Sequence, residues 1–240
     1  MKVVLVTHDS AFGRYLAATL YRASAVDQVL VETARPSWRF YWRKLRRAGV
    51  VDFTFQVWLA RWYRREGARF LPDVAMPPHE RIRSANAYPF DAADLVVGFG
   101  TSYITAATLA RVPNGFLNLH TGFLPDYRGV KSEFWALARR DLARIGWTLH
   151  HMTTTLDAGD MVVRQRVPWE GESPAALRAK LLRDAAPTVA ALLRDARLRG
   201  VEVLPRTPQA TGEYFTTPTW GDWRRYRRSW LPVSAPLPSE

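Results

Sequence analysis

With 240 residues and 48% hydrophobic side chains, the chain has the material for one large globular domain and a sizeable core, which excludes a disordered or fibrous class. The absence of cysteine excludes disulfides, zinc–thiolate sites and a cysteine nucleophile together, and fits a cytoplasmic protein. A formal charge of +12, most of it from arginine, predicts attraction to nucleic acid, anionic lipid or a phosphorylated substrate, although genomic composition alone can also raise arginine content.

Met1 and Lys2 lead straight into Val3–Thr7, without the n-region, long apolar run and cleavage site of a signal peptide, and nothing in the chain approaches a membrane-spanning run. Val3, Val4, Leu5 and Val6 leave no solvent face and predict a buried parallel strand. Phe12, Leu16, Ala17 and Leu20 then recur at helical spacing, with Ser10 or Asp9 as N-cap, and Val29-Leu30-Val31 supplies the second strand of a βαβ start. The first strand–helix turn has no G-x-G-x-x-G run, so dinucleotide binding gains no support.

The character changes between Pro36 and Arg65, where Trp38, Phe40, Tyr41, Trp42, Phe53, Phe55, Trp58, Trp62 and Tyr63 are interleaved with eight arginines and lysines. Trp38, Trp42 and Leu45 share one helical face, and Phe55, Trp58, Leu59 and Trp62 share another, with Gly49 as the break between two helices. This insert, 36–66, reads as a helical pair packed on the sheet with its arginines in water, as a contact for an anionic membrane, or as a grip on substrate phosphates. Pro72–Pro89 predicts an irregular connection with at most one short strand. Asp94–Gly100 is another buried strand, Thr101–Leu109 a loop and short helix, and Phe116–His120 a further strand.

The stretch FLNLHTGFLPDYRG, Phe116–Gly129, organises the rest: an apolar run ends on Asn118-Leu119-His120, and Gly122, Pro125 and Gly129 then turn the backbone repeatedly. That sets an amide and an imidazole where a strand becomes a loop, the place where open α/β sheets bind ligands. A helix starts at Ser132. Trp147–Met152 is a strand leading into the polar turn Thr153–Asp160, and Met161–Val167 returns antiparallel to it. Ser173-Pro174 caps a long helix that reaches about Arg199, with Gly200 as its stop and Pro187 as an expected kink. The tail WLPVSAPLPSE is proline-rich and expected to be poorly ordered. An amide and an imidazolium can both donate to a developing oxyanion, and a carboxylate such as Asp157 can hold the imidazole charged. A lone Asn-x-His is nonetheless more often a structural pair. Five histidines in no H-E-x-x-H spacing predict no metal site.

Three blocks in register carry a resemblance: Asn118-x-His120 with Leu124-Pro125-x-Tyr127-Arg128-Gly129, then Gly146-x-Thr148-x-His150, then Leu156-Asp157-x-Gly159-Asp160. Over about Asp94–Val167, and more loosely elsewhere, the chain resembles the folate-dependent formyltransferases, which include the glycinamide ribonucleotide, methionyl-tRNA and amino-sugar enzymes. The resemblance implies an α/β fold with a mostly parallel, doubly wound, Rossmann-like sheet and helices on both faces, within a catalytic domain 1–200 followed by a short extension 201–240. It implies transfer of a formyl group from 10-formyltetrahydrofolate to a primary amine. Asn118 would hold the formyl oxygen, His120 would stabilise the oxyanion, and Asp157 would keep His120 protonated and accept the amine's proton. His150 and Thr148 would support them. Thr101, Ser102, Tyr103 and Ile104, with Thr153, Thr154 and Thr155, would bind the pterin, and Tyr127, Arg128 and Gly129 the acceptor. Departures narrow the acceptor. Gly122-Phe123-Leu124-Pro125 stands where the family often has Ser-Leu-Leu-Pro. Thr7-His8-Asp9-Ser10 replaces the glycine–asparagine phosphate loop of the purine enzymes, and the 40 residues after Gly200 are too few for the C-terminal β domain of the methionyl-tRNA enzymes. The insert belongs to neither subgroup. A nucleotide-linked amino sugar is therefore the leading acceptor. Formyl-folate hydrolysis in the same fold, and a membrane- or RNA-peripheral binding protein that lost turnover, stay open as alternatives; nucleic acid is disfavoured as a partner and a homodimer is allowed.

Overall fold

The computed structural model describes residues 1–33 and 37–230; Pro36, which opens the insert, and the proline-rich tail from 231 to 240 lie outside the described residues. The βαβ start consists of β1 (Val3–His8), α1 (Ala11–Arg22), whose N-cap Ser10 accepts from Gly13 N–H, and β2 (Gln28–Glu32). The insert forms α2 (Trp38–Ala68), two helical pieces joined across Gly49, whose φ of 75° is strained for any residue with a side chain. The irregular connection holds one short strand, β3 (Glu80–Ile82). Then come β4 (Leu95–Phe99), α3 (Ala106–Leu109), β5 (Phe116–His120), β6 (Arg128–Gly129) and α4 (Ser132–Ala138). Next in the chain are β7 (Gly146–His151), β8 (Met161–Arg166) and α5 (Pro174–Arg199), which is capped by Ser173 and continues through Pro187. After Gly200, the chain adds β9 (Tyr214–Phe215) and α6 (Trp220–Ser229).

Among the described residues seven strands form one sheet in the order β3-β2-β1-β4-β5-β7-β8. Pairing is parallel from β3 to β5 and antiparallel for β5–β7 and β7–β8, so the sheet is mostly parallel. From β1 the chain winds outward to β2 and β3, then re-enters on the other side at β4, so the winding reverses between β1 and β4. Pleating divides the apolar residues between the faces. Leu5, Val29, Val97, Leu117 and Leu119 meet α1 and α5 on one face; Val4, Val6, Leu30, Val96 and Phe116 meet Phe90, Ile104 and Val112 on the other. Long helices cover the first face, whereas α3 and irregular chain cover the second. Phe55, Leu59 and Tyr63 of α2 pack with Phe134 of α4 and Trp223 of α6 as an outer layer. Among the described residues no helix is long and apolar enough to cross a membrane.

Candidate active site

Asn118 and His120 are two residues apart on β5, so both project from one face of the sheet. The antiparallel register places His150 opposite Asn118 and Thr148 opposite His120, which brings two imidazoles and an amide together at the strand ends. The turn after β7 carries Asp157 back over them in a left-handed conformation, φ 50°, that aspartate tolerates better than most residues. Asn118 Nδ2 lies 3.1 Å from His150 Nε2 and donates to Asp157 Oδ1 at 3.3 Å; His120 Nδ1 stands 3.8 Å from Asp157 Oδ2. Gly129 N–H donates to the same Oδ2 at 2.9 Å.

The remaining bonds set the orientation of each ring. A backbone carbonyl only accepts, so the 2.9 Å contact of His120 Nε2 with the Tyr127 carbonyl puts a proton on Nε2 and turns Nδ1 toward Asp157. Ser132 Oγ, 3.0 Å from His120 Nε2, braces the ring and itself donates to the Tyr127 carbonyl. His150 Nδ1 donates to the His151 carbonyl at 2.9 Å. Burial alone would push the Asp157 carboxyl up, but His120, His150 and the Gly129 N–H outweigh it and hold the group well below the usual carboxylate range. Gly122, where the family pattern has serine, has no room for a Cβ, which would collide with His120 Nε2 and Ser132 Cβ. Ser132 therefore supplies the hydroxyl beside the ring.

These groups open into a cavity of about 540 Å³. Thr101–Ile104, Gly129 and Thr153 line it beside Asn118, His120, His150 and Asp157. The segment Thr101–Ile104 is held from behind by the buried Glu32, which accepts from Ser102 N–H at 2.9 Å, Ser102 Oγ at 2.7 Å and Ala85 N–H at 2.7 Å. Asn86 Nδ2 donates to the Tyr103 carbonyl at 2.7 Å. Among the described residues, no protein group bonds the N–H of Tyr103 and Ile104 or the Ser102 carbonyl, so main-chain donors and an acceptor remain for a planar, polar-edged ligand. Thr154 and Thr155, expected beside the pterin, are exposed and outside the cavity lining; the Thr154 carbonyl accepts from Tyr103 OH and the Thr155 carbonyl from Thr153 Oγ1.

Two expectations are corrected by geometry. Tyr127 does not present its side chain to the cavity: its OH donates to Asp141 Oδ2 at 2.9 Å and its ring stacks on Phe215, because the apolar ring is buried. Arg128 is spent on the protein, with Nη2 donating to the Leu156 carbonyl at 2.6 Å, so it fixes the turn that carries Asp157. Thr148 is fully buried and bridges the Gly122 carbonyl and Leu124 N–H, shaping the loop below the site. Lys44, from the insert that the sequence allows as a grip on phosphates, also lines the cavity; sequence reasoning missed Glu32, Ser132 and two further cations in the lining, Lys131 and Arg178. Lys131 Nζ rests 3.3 Å above the Tyr63 ring. Among the described residues no carboxylate lies within ion-pair distance of Lys131 or Arg178, and burial, with Arg178 adding to it, pushes the Lys131 ammonium down to about 7. An exposed lysine in a motif-free stretch would look the same in sequence; an acid ending the otherwise apolar β2 was the one available hint for Glu32.

Comparison with known proteins places this geometry. The chain is 28% identical over 220 residues to the methionyl-tRNA formyltransferase of Burkholderia cenocepacia, a match covering 86% of this chain and 61% of that protein. It thus spans less than two thirds of the length of the methionyl-tRNA formyltransferases it matches. In structure it superposes on a 4-N formyltransferase from Francisella tularensis with a TM-score of 0.61 at 15% identity, covering 95% of this chain and 87% of that one. The formyltransferase PseJ from Anoxybacillus kamchatkensis gives a TM-score of 0.57 at 15% identity, with 97% and 93% covered. The formyl transferase family model matches residues 1–189, the span that holds the sheet, Asn118, His120 and Asp157, and the chain belongs to that family.

Proposed function

We propose that this chain transfers a formyl group from 10-formyltetrahydrofolate to a primary amine, with a nucleotide-linked amino sugar as acceptor. The observation that carries the reading is the convergence of Asn118, His120 and Asp157 on one cavity, with Asp157 ionised and bonded to Asn118 and Gly129. 10-Formyltetrahydrofolate supplies the activated formyl group, and the free main-chain groups of Ser102, Tyr103 and Ile104 would hold its pterin edge. Negative charge developing on the formyl oxygen falls to Asn118 and His120. Asn118 Nδ2 donates to Asp157 Oδ1 at 3.3 Å in this structure, so the formyl oxygen would take over that N–H from the carboxylate. That exchange would free Asp157 Oδ1 to take the proton lost by the attacking amine, directly or through one water, and to return it to N10 as the C–N10 bond breaks and tetrahydrofolate leaves, while Oδ2 faces His120.

Two observations favour a nucleotide-linked amine. Lys44, Lys131 and Arg178 line the same cavity and suit a phosphorylated acceptor. The PseJ structure holds UDP-4,6-dideoxy-4-formamido-L-AltNAc and tetrahydrofolate. The reading is tested by pairing binding with turnover: a reduced folate should raise the melting temperature, as any ligand that prefers the native state must. In His120→Ala that shift should persist while turnover falls about 10²-fold or more, because an oxyanion partner acts chiefly in the transition state. Loss of the shift together with turnover would make His120 a structural residue.

A further inference from the structure

The two halves of α2 meet different fates. Beyond Gly49, Phe55, Leu59 and Tyr63 are buried against α4, α5 and α6, as a packed helix requires. Before it, from Ser37 to Gly49, no residue is buried. Trp38 is 72% exposed and Trp42 54%, with Phe40, Tyr41, Val50 and Val51 also in water. An 11-residue helix of this kind gains almost nothing from its own fold and is marginal alone, so these aromatic side chains are out of place unless something covers them.

The pattern says what would cover them. Trp38, Tyr41, Trp42 and Leu45 stand at i, i+3, i+4 and i+7 and form one face; Arg39, Arg43, Arg46 and Arg47 turn to the opposite side. Between Ser37 and Val51 there are five cations and no acid. Five cations without a single acid complement an anionic surface, and indoles flanked by arginines suit the headgroup region of a bilayer. The surface continues past Gly49 into an open groove with Trp58, Trp220 and Trp223 in its wall and Arg224, Arg227 and Arg228 at its edge. We propose that the α2 arm docks on an anionic lipid surface, its aromatic face at the acyl boundary and its arginines among the headgroups. Lys44 of the same arm also lines the catalytic cavity, so a docked chain holds that cavity beside the membrane.

The test is co-sedimentation of the full chain with vesicles of phosphatidylcholine alone or mixed with phosphatidylglycerol, alongside sedimentation velocity without lipid and a bulk tRNA binding assay. The proposal expects recovery with anionic vesicles only, with a blue-shifted tryptophan emission. Arg39, Arg43, Arg46 and Arg47 all changed to Glu should lower the partition coefficient about 10²-fold or more, since each cation near an anionic surface strengthens binding roughly fivefold. Trp38→Ala with Trp42→Ala should weaken binding and remove the blue shift. Both variants should keep wild-type circular dichroism and the folate-induced melting shift, which separates this proposal from the catalytic one. Equal recovery with both vesicle types, none with either, a stable dimer that shields the arm's tryptophans, or tRNA binding without lipid binding would each overturn it.

Discussion

Asp157 is the residue on which the site turns, because its two oxygens serve different partners: Oδ1 the Asn118 amide and Oδ2 the Gly129 N–H beside the His120 ring. Asp157→Asn keeps the shape but loses the charge and the proton acceptor, so turnover should fall by about 10²-fold or more while folate still raises the melting temperature. Lys131 offers a complementary test of charge. Its ammonium is pushed down to about 7 in the folded chain and lies near 10.4 when unfolded, so the charged form costs stability in full below pH 7, and the cost fades as pH rises from about 7 to 10. Lys131→Met should therefore raise stability by about 1 kcal/mol at pH 6.5, less at pH 9, by urea denaturation; a loss at pH 6.5 would show that the ammonium is better paired than its surroundings indicate. The meeting of Asn118, His120 and Asp157 in one cavity was legible because their spacing repeats a known chemical pattern. Tyr127 and Arg128 shared that pattern, yet they act through Asp141, Phe215 and Leu156, contacts set by tertiary packing that a motif does not encode.

The elements were legible where apolar periodicity was strong. β1 opens on, and β4 is, a continuous apolar run, β5 starts on one before Asn118, and the Gly49 break in α2 follows from the only residue there that accepts φ 75°. α6 was missed because arginines dominate WGDWRRYRRS; its helical signal is the capping box of Thr219 and Asp222 plus Trp223 and Tyr226 three apart. What α6 does is packing: Trp223 is buried and stacks on Phe134 at 6.0 Å, with Phe55, Trp58 and Trp62 around it. Trp223→Ala should cost about 3–5 kcal/mol in urea unfolding, since it empties the joint between α2, α4 and α6. A cost below about 1 kcal/mol would mean that α6 is peripheral to the fold. β9 ties the same region to the site, because its parallel pairing with β6 seats Phe215 against Gly129, the residue whose N–H reaches Asp157.

Across the whole molecule the sheet order places β4, β5 and the turn after β7 side by side, so three separate sequence blocks become one pocket. That assembly was readable from strands and their order; Lys131 and Arg178 in its lining were not, because their positions depend on how the start of α4 and α5 pack. Acid should dissolve the arrangement. Burial, with Arg206 beside it, pushes the His151 imidazole down to about 4, whereas the unfolded residue titrates near 6.5. The unfolded chain thus binds the extra proton between those values, and stability should fall as pH drops from about 6.5 to 4, by up to about 2 kcal/mol after solvent screening. His151→Gln should flatten that slope; an unchanged slope would assign it elsewhere. The most direct test of the central claim offers 10-formyltetrahydrofolate and a panel of nucleotide-linked amino sugars to the intact protein, following tetrahydrofolate release and the mass of each amine. The site described here predicts release that depends on an amine and a matching gain of one formyl group on it. Release with free formate and no formylated amine, or folate binding without release, would contradict it.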